Sequence, residues 1–388
     1  MTAGYRVAVV GATGAVGVEM LACLARRGFP ASSVVTLASE RSAGKRLEVR
    51  GAPGGGAEAR GVRRPEWARE GLVVGALSRE ALRGVDIALL SAGSGVSRDV
   101  APAAKELGVC VIDNSSAFRM DPGVPLVVPE VNPGALGSTA GARNGRGWPL
   151  VIANPNCSTI ILLMALTPLR RAFGVESAIV STYQAASGAG ARGVEELEAQ
   201  TRADLGGEVV RAGAETGGLF HEPYAFNLFS HNAPVDGASG SNGEETKMLL
   251  ETRKIWEDPR VRVSATCIRV PVRRAHSESV HVVLERGATR AEVLGALGSF
   301  AGLRVVDDRA ANRFPTPLKA SGQDEVLVGR VRASVVQPGE EAAEDGPAEV
   351  RDDRRAWRAW DLFVCGDQLL KGAALNAVQI AEVLVRGK

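Results

Sequence analysis

The chain is poor in the features that mark several protein classes. Its 46 basic residues stand against 44 acidic ones, a net charge of +2, so the basic surplus of a general nucleic-acid binder is missing. No apolar run reaches the roughly 18 residues of a membrane-spanning helix. The opening MTAGYRVAVVGATGAVG lacks a basic region, an unbroken apolar core and a small-residue cleavage site, so no secretory signal is expected. Five cysteines lie far apart, with no CxxC pair. That spacing fits a reducing compartment, taken here as the cytoplasm, and fits neither a disulfide framework nor a metal site. Histidine is scarce, with four residues, which shortens the list of acid–base groups active near neutral pH. Only seven of the 46 basic residues are lysine, so each lysine is easy to notice.

What is present points to a large globular chain. The 388 residues are 45% hydrophobic, enough for two or three domains with full cores. In the first part, apolar runs at 5–10, 33–39, 85–92 and 109–113 alternate with helical patterns at 15–27 and 97–107. Continuous apolar strands alternating with helices predict a parallel, doubly wound sheet. From about residue 150 the style changes. Longer strand-like segments at 176–187, 261–272, 278–285 and 325–336 enclose helices over 191–205 and 243–256. These predict an α+β domain on a mixed sheet. The stretches 51–71, 141–147 and 338–355 read as surface loops, and the chain ends in an amphipathic helix.

Gly11-Ala-Thr-Gly14-Ala-Val-Gly17 follows the first strand and opens the first helix. The glycines permit a tight turn, close approach of a diphosphate to the backbone, and close helix–strand contact. The free N–H groups at the helix start favour phosphate charge. Gly11, Thr13, Gly14, Ala15 and Val16 are therefore expected to bind a dinucleotide. At the end of the second strand, Ser39-Glu40-Arg41-Ser42 offers an arginine flanked by hydroxyls, which suits a 2′-phosphate and favours NADP. Glu40 pulls the other way, toward a ribose diol.

Cys157 lies in Asn154-Pro-Asn156-Cys157-Ser-Thr, between a strand and an apolar helix. A helix N-terminus favours a thiolate and can stabilise an oxyanion, so Cys157 is the candidate nucleophile. Cys23, Cys110, Cys267 and Cys365 sit in apolar strands or helices and read as inert. A proton partner is needed. His276 ranks slightly above the loop histidines His221 and His231, while His281 lies within a strand. Glu244 and Lys247 share one helix face, as an ordinary surface ion pair also would. Arg119 follows the fourth strand, where ligands of parallel sheets bind.

Taken together, GATGAVG, ASERSAGK, DNSSAFRM, NPNCST, YQAASGAG, EETKM, CIRVPVRRAHSES and KGAALNAVQIAE resemble the aspartate-β-semialdehyde dehydrogenase family. The motifs run collinearly over residues 7–382. The resemblance implies a Rossmann-type NADP-binding domain (1–155 with a returning helix over 367–388) and a catalytic and dimerisation domain (156–366). It implies Cys157 as nucleophile, Gln184 as the residue orienting the acyl intermediate, and His276 as acid/base. Arg269 and Glu244 would hold the substrate's carboxylate and ammonium, Arg119 and Lys247 its phosphate, with Asn156 beside them and Asn376 near the nicotinamide. The expected substrate is aspartyl phosphate, or aspartate semialdehyde with phosphate, and the expected assembly a homodimer or homotetramer. Two other readings stay open: an acyl-phosphate reductase acting on N-acetylglutamyl phosphate, and a non-catalytic NADP-binding sensor.

Overall fold

A computed structural model describes residues 4–49, 65–138, 141–339 and 354–387. Most of the expected loops at 51–71 and 338–355 lie outside these residues. The chain divides into two compact units, residues 1–157 with 369–388 and residues 158–368.

The first unit carries β1 (Tyr5–Val10), α1 (Ala15–Arg26), β2 (Ala31–Ala38), β3 (Arg46–Leu47), β4 (Leu72–Ala76), β5 (Ile87–Leu90), α2 (Ser94–Glu106), β6 (Cys110–Asp113), the single turn α3 (Ala135–Ser138) and β7 (Val151–Ala153). Its sheet order is β3-β4-β2-β1-β5-β6-β7, parallel throughout except where the short β3 runs against β4. The strands are apolar on both faces because both faces are covered. Val7, Val9, Leu89 and Ile112 meet α1 and the C-terminal helix. Ala8, Val10, Leu90 and Val111 meet α2 through Val100, Ala101 and Ala104. The chain leaves β1 toward β2 on one side and returns to β5 on the other. That reversal marks the C-terminal strand ends as the place where sheets of this kind bind ligands.

The second unit carries α4 (Cys157–Phe173), whose first residue closes the first unit, then β8 (Val175–Gln184), α5 (Ala191–Leu205), β9 (Phe229–Ser230), α6 (Gly243–Trp256), β10 (Arg262–Arg269), β11 (His276–Ala288), α7 (Arg290–Gly298), β12 (Leu303–Val305), the short α8 (Pro317–Ala320), β13 (Val326–Ala333) and β14 (Trp357–Gly366). The order β12-β13-β14-β11-β8-β10-β9 makes a mixed sheet, with β8 parallel to β10 and antiparallel to β11. α4 is apolar nearly all round and buried from Ser158 to Leu169. Ile160 and Ile161 cost it at most about 0.7 kcal/mol each in helix propensity. Burying each side chain contributes roughly 1.5–3 kcal/mol, so burial decides the helix.

Several expectations shift. Strand β14 was not foreseen. The strand expected over 176–187 stops at Gln184 and turns into a 3-10 segment, Ala186–Ala189. The strand expected from 278 already begins at His276. The final helix starts as a π-turn, Leu370–Ala374, before α9 (Leu375–Arg386).

Candidate active site

In the first unit the glycine turn is fixed by sterics. Gly11 has φ +81°, and a Cβ there would meet the Ser91 carbonyl oxygen at 2.3 Å; a Cβ on Gly17 would meet the Gly11 oxygen at 2.2 Å. Gly14 is exposed, with its nearest contact at 3.3 Å, which leaves its backbone open to a diphosphate. α1 begins at Ala15 with no acidic residue in its first turn, so its N–H groups suit an anion. Past β2, Ser39, Glu40 and Arg41 are exposed, while Ser42 is buried and donates its N–H to the Ser39 carbonyl (2.8 Å). Arg41 can thus reach a 2′-phosphate from the surface, while Ser42 serves the turn.

At the C-terminal ends of β6 and β7 the same unit holds Arg119, Asn154, Asn156 and Cys157. Arg119 is buried and donates to the main-chain oxygens of Asn154 (Nε, 3.0 Å) and Asn114 (Nη2, 2.8 Å). Asn156 is also buried. The other four cysteines are buried and Cys157 is half-buried, at the first position of α4. Asn376 is fully buried. Its Nδ2 donates to the Val127 oxygen (2.9 Å) and Asn154 Oδ1 (2.7 Å), and its Oδ1 accepts from Lys371 Nζ (2.9 Å). The expected cofactor residue therefore spends its amide inside the protein.

In the second unit, Gln184, Glu244, Lys247, Arg269 and His276 come together. Asn242 caps α6 by accepting from the N–H groups of Glu244 and Glu245, within a capping box. This anchors Glu244, which is buried. Its Oε1 accepts from Gln184 Nε2 (3.1 Å) and its Oε2 from Lys247 Nζ (3.0 Å). Gln184 Nε2 also donates to Ser158 Oγ (2.9 Å), the residue after Cys157. Gln184 Oε1 is buried without a partner among the described residues. With its amine turned to a carboxylate and a hydroxyl, Gln184 presents an acceptor.

His276 is fully buried. Its Nδ1 accepts the Ala185 N–H (3.0 Å), and its Nε2 has no partner among the described residues. An accepting Nδ1 puts the proton of the neutral ring on Nε2. Burial first, then the nearby Arg269 guanidinium, lowers its pKa to about 3, so the ring is neutral at pH 7. Ala275, just before it, has φ +73°, a strained value for a non-glycine residue. That residue is held by donation of its N–H to Gln368 Oε1 (2.8 Å), and Gln368 also bonds Ser187. Arg269 donates to the Ala185 oxygen through Nη1 (3.1 Å) and to Asn232 Oδ1 through Nε and Nη2 (3.2 Å each), while His231 Nε2 lies 2.8 Å from Nη2. The Nε–Nη2 edge is the one a carboxylate grips in bidentate fashion, so a carboxylate docking there displaces Asn232. Burial and Arg269 lower His231 to about 4. His221 is exposed, and His281 bonds Asp361 (2.9 Å).

The contributions of Asn232, Gln368, Ala275 and Lys371 were not foreseen. All four are held by contacts distant in sequence, and only the single-lysine motif KGAALN carried any signal.

Comparisons with known proteins bear on both units. Residues 6–139 match the family model "Semialdehyde dehydrogenase, NAD binding domain", and residues 166–340 match "Semialdehyde dehydrogenase, dimerisation domain". An aspartate-semialdehyde dehydrogenase of Synechocystis sp. is 43% identical over 99% of this chain and 98% of its own. One from Aquifex aeolicus is 42% identical over the same shares. The crystal structure of aspartate semialdehyde dehydrogenase II from Vibrio cholerae superposes with a TM-score of 0.81 at 38% identity, covering 99% of each chain. A second structure of that protein is complexed with ASA, at the same TM-score and identity, covering 99% of this chain and 98% of its own.

Proposed function

The chain belongs to the aspartate-semialdehyde dehydrogenase family, and on that premise we propose that it catalyses the reversible, NADPH-dependent reductive dephosphorylation of L-aspartyl 4-phosphate to L-aspartate 4-semialdehyde. This step would serve cytoplasmic synthesis of diaminopimelate, lysine, threonine and methionine. The observation that carries the reading is the linked set at the start of α4. Cys157 opens the helix, the next residue is bonded by Gln184, and Gln184 is bonded by buried Glu244.

In the forward direction the Cys157 thiolate attacks the acyl carbon of aspartyl phosphate. A C–S bond forms, the C–O bond to phosphate breaks, and Cys157 holds a thioester. Arg119 and Lys247 neutralise the departing phosphate. The first-turn N–H groups of α4 stabilise the oxyanion. Arg269 holds the α-carboxylate, and Glu244 with the open Gln184 Oε1 receives the α-ammonium. A buried carboxylate suits a free amine, which favours aspartyl phosphate over an acetylated substrate. When bound, NADPH supplies the hydride that reduces the thioester. His276, neutral with its proton on Nε2, donates a hydrogen bond to the substrate oxygen as the thiohemiacetal forms and collapses, releasing Cys157. The second unit contributes the contact that makes a homodimer or homotetramer.

The test is a substrate panel. Phosphate-dependent NADP reduction is measured with aspartate semialdehyde, with N-acetylglutamate semialdehyde and with neither. Turnover with aspartate semialdehyde alone is expected. Cys157→Ala should lose on the order of 10⁴-fold or more in kcat while NADPH binding stays near wild type. Residual turnover close to wild type would refute the thioester route.

A further inference from the structure

The first unit contains a polar relay that ends in a donor with no partner among the described residues. Lys371 is almost wholly buried at 1% exposure, and its ammonium donates to Glu130, Asn376 Oδ1 and Gln379 Oε1. An ammonium only donates, so the Asn376 oxygen must face it. The Asn376 amine is then committed to the Val127 carbonyl and to Asn154 Oδ1. Flipping Asn376 would set its amine against Lys371 and its oxygen against two acceptors. Flipping Asn154 would set two amines against each other. A single cation therefore fixes the polarity of both amides. Gln379 Nε2 donates to Glu130 Oε1 (2.9 Å), which braces the lysine's partners.

The outcome is that Asn154 Nδ2 must point away from the relay. It is buried, in a residue 1% exposed, and has no partner among the described residues. A buried amine left unpaired costs about 1–3 kcal/mol, so a native structure that retains one needs a reason for it. Its backbone is also pinned, with its N–H donating to the Asp113 oxygen (2.8 Å) and its own oxygen accepting from Arg119. This donor stands at the C-terminal end of β7, in the unit with the glycine turn and three residues before Cys157.

We propose that Asn154 Nδ2 is the hydrogen-bond donor for the carboxamide oxygen of the nicotinamide ring, and that Lys371 and Asn376 are positioning residues that orient it. This rests on the dinucleotide reading above and adds the residue that would set the ring's rotation. Asn376 then acts through Asn154 rather than by its own amide.

The test is calorimetric binding to the full-length protein, using NADPH and 2′-phosphoadenosine 5′-diphosphoribose. The second probe keeps the phosphates and adenosine and lacks the nicotinamide. Asn154→Asp keeps the oxygen that accepts from Asn376 and removes the donor. It should weaken NADPH about tenfold and leave the second probe within about twofold. The reduced ring is uncharged, so an effect of the new carboxylate on the phosphates would fall on both probes alike. Lys371→Met and Asn376→Asp, two ways of breaking the relay, should each weaken NADPH selectively by a smaller factor, and either alone is informative if the other fails to fold. Equal weakening of both probes by Asn154→Asp, or none, overturns the proposal. If the unaltered protein binds neither probe, the dinucleotide reading falls and takes the proposal with it.

Discussion

His276 illustrates how one contact sets a residue's chemistry. The Ala185 N–H occupies Nδ1, so the neutral ring can only donate at Nε2. Gly188 lies over this ring and Arg269. A Cβ there would come within 3.0 Å of both Arg269 Nη1 and His276 Cε1. Gly188 has no positive φ, so space rather than backbone conformation demands glycine. Gly188→Ala should push the imidazole and guanidinium from their places and lower kcat/KM about tenfold or more, and because overpacking costs the fold about 1–3 kcal/mol the melting temperature should drop by a few degrees with it. Steady-state kinetics at wild-type values would show that the imidazole and guanidinium yield freely. Site residues of this kind were legible where chemistry and local punctuation coincide. Cys157 stood out because turn residues precede it and a helix follows. The residues alone rank His276 only slightly above His231, because what separates the two is which loop the sheet brings to Gln184. Here both histidines flank Arg269 chemistry, and only His276 sits within the sheet.

At the scale of elements, β11 carries His276 and Glu278 two residues apart on the buried face. Glu278 is fully buried, and neither carboxylate oxygen has a partner among the described residues. Burial raises its pKa well above the usual carboxylate value, so the folded chain keeps it protonated. The unfolded chain ionises near pH 4.5, so folding must take up a proton at any higher pH below the folded pKa. Stability from this group therefore falls as pH rises above about 4.5. Glu278→Gln, nearly isosteric and uncharged, should melt higher than the parent at pH 8, and the gap should close toward pH 5. A parallel pair of melting curves across that range would rule out a protonated Glu278. His276 works in the opposite direction. Its depressed pKa means stability present above about pH 6.5 and lost as pH falls toward 3. The elements themselves were largely readable. Helices α5 and α6 are bounded by Gly190 and by the Asn242 cap, and polar faces alternate along both. β14 escaped notice although Ala359, Leu362 and Val364 are buried against half-exposed Asp361 and Phe363. Only Cys365 reads as part of an apolar strand or helix, and the pairing with β11 that makes these ten residues a strand lies about 80 residues away in sequence.

At the scale of the whole molecule, the strands of the second unit's sheet alternate buried side chains with half-exposed or exposed ones, and α4 packs on the buried side. On that side, a Cβ added to Gly366 of β14 would strike the Ile161 side chain of α4 at 2.7 Å, so strand and helix pack without space to spare. On the other face, Ile179 is 59% exposed at the middle of β8, between Ala178 at 2% and Val180 at 0%. β8 is an interior strand, bonded to β10 and β11. Its neighbours across the ladder are Ser264 and His281, so the apolar side chain is ringed by small or polar groups. A single exposed isoleucine is unremarkable, but one at the middle of an interior strand is suited to an isologous contact. If that face joins two copies, Ile179→Asp places two like charges near each other across the symmetry axis while costing the isolated chain little. The variant should elute and scatter as a smaller species than the parent, with an unchanged far-ultraviolet spectrum. Mass action supplies a second readout: the parent's melting temperature should rise with protein concentration, and the variant's should not. An unchanged mass together with an unchanged concentration dependence would move the oligomer contact to another face.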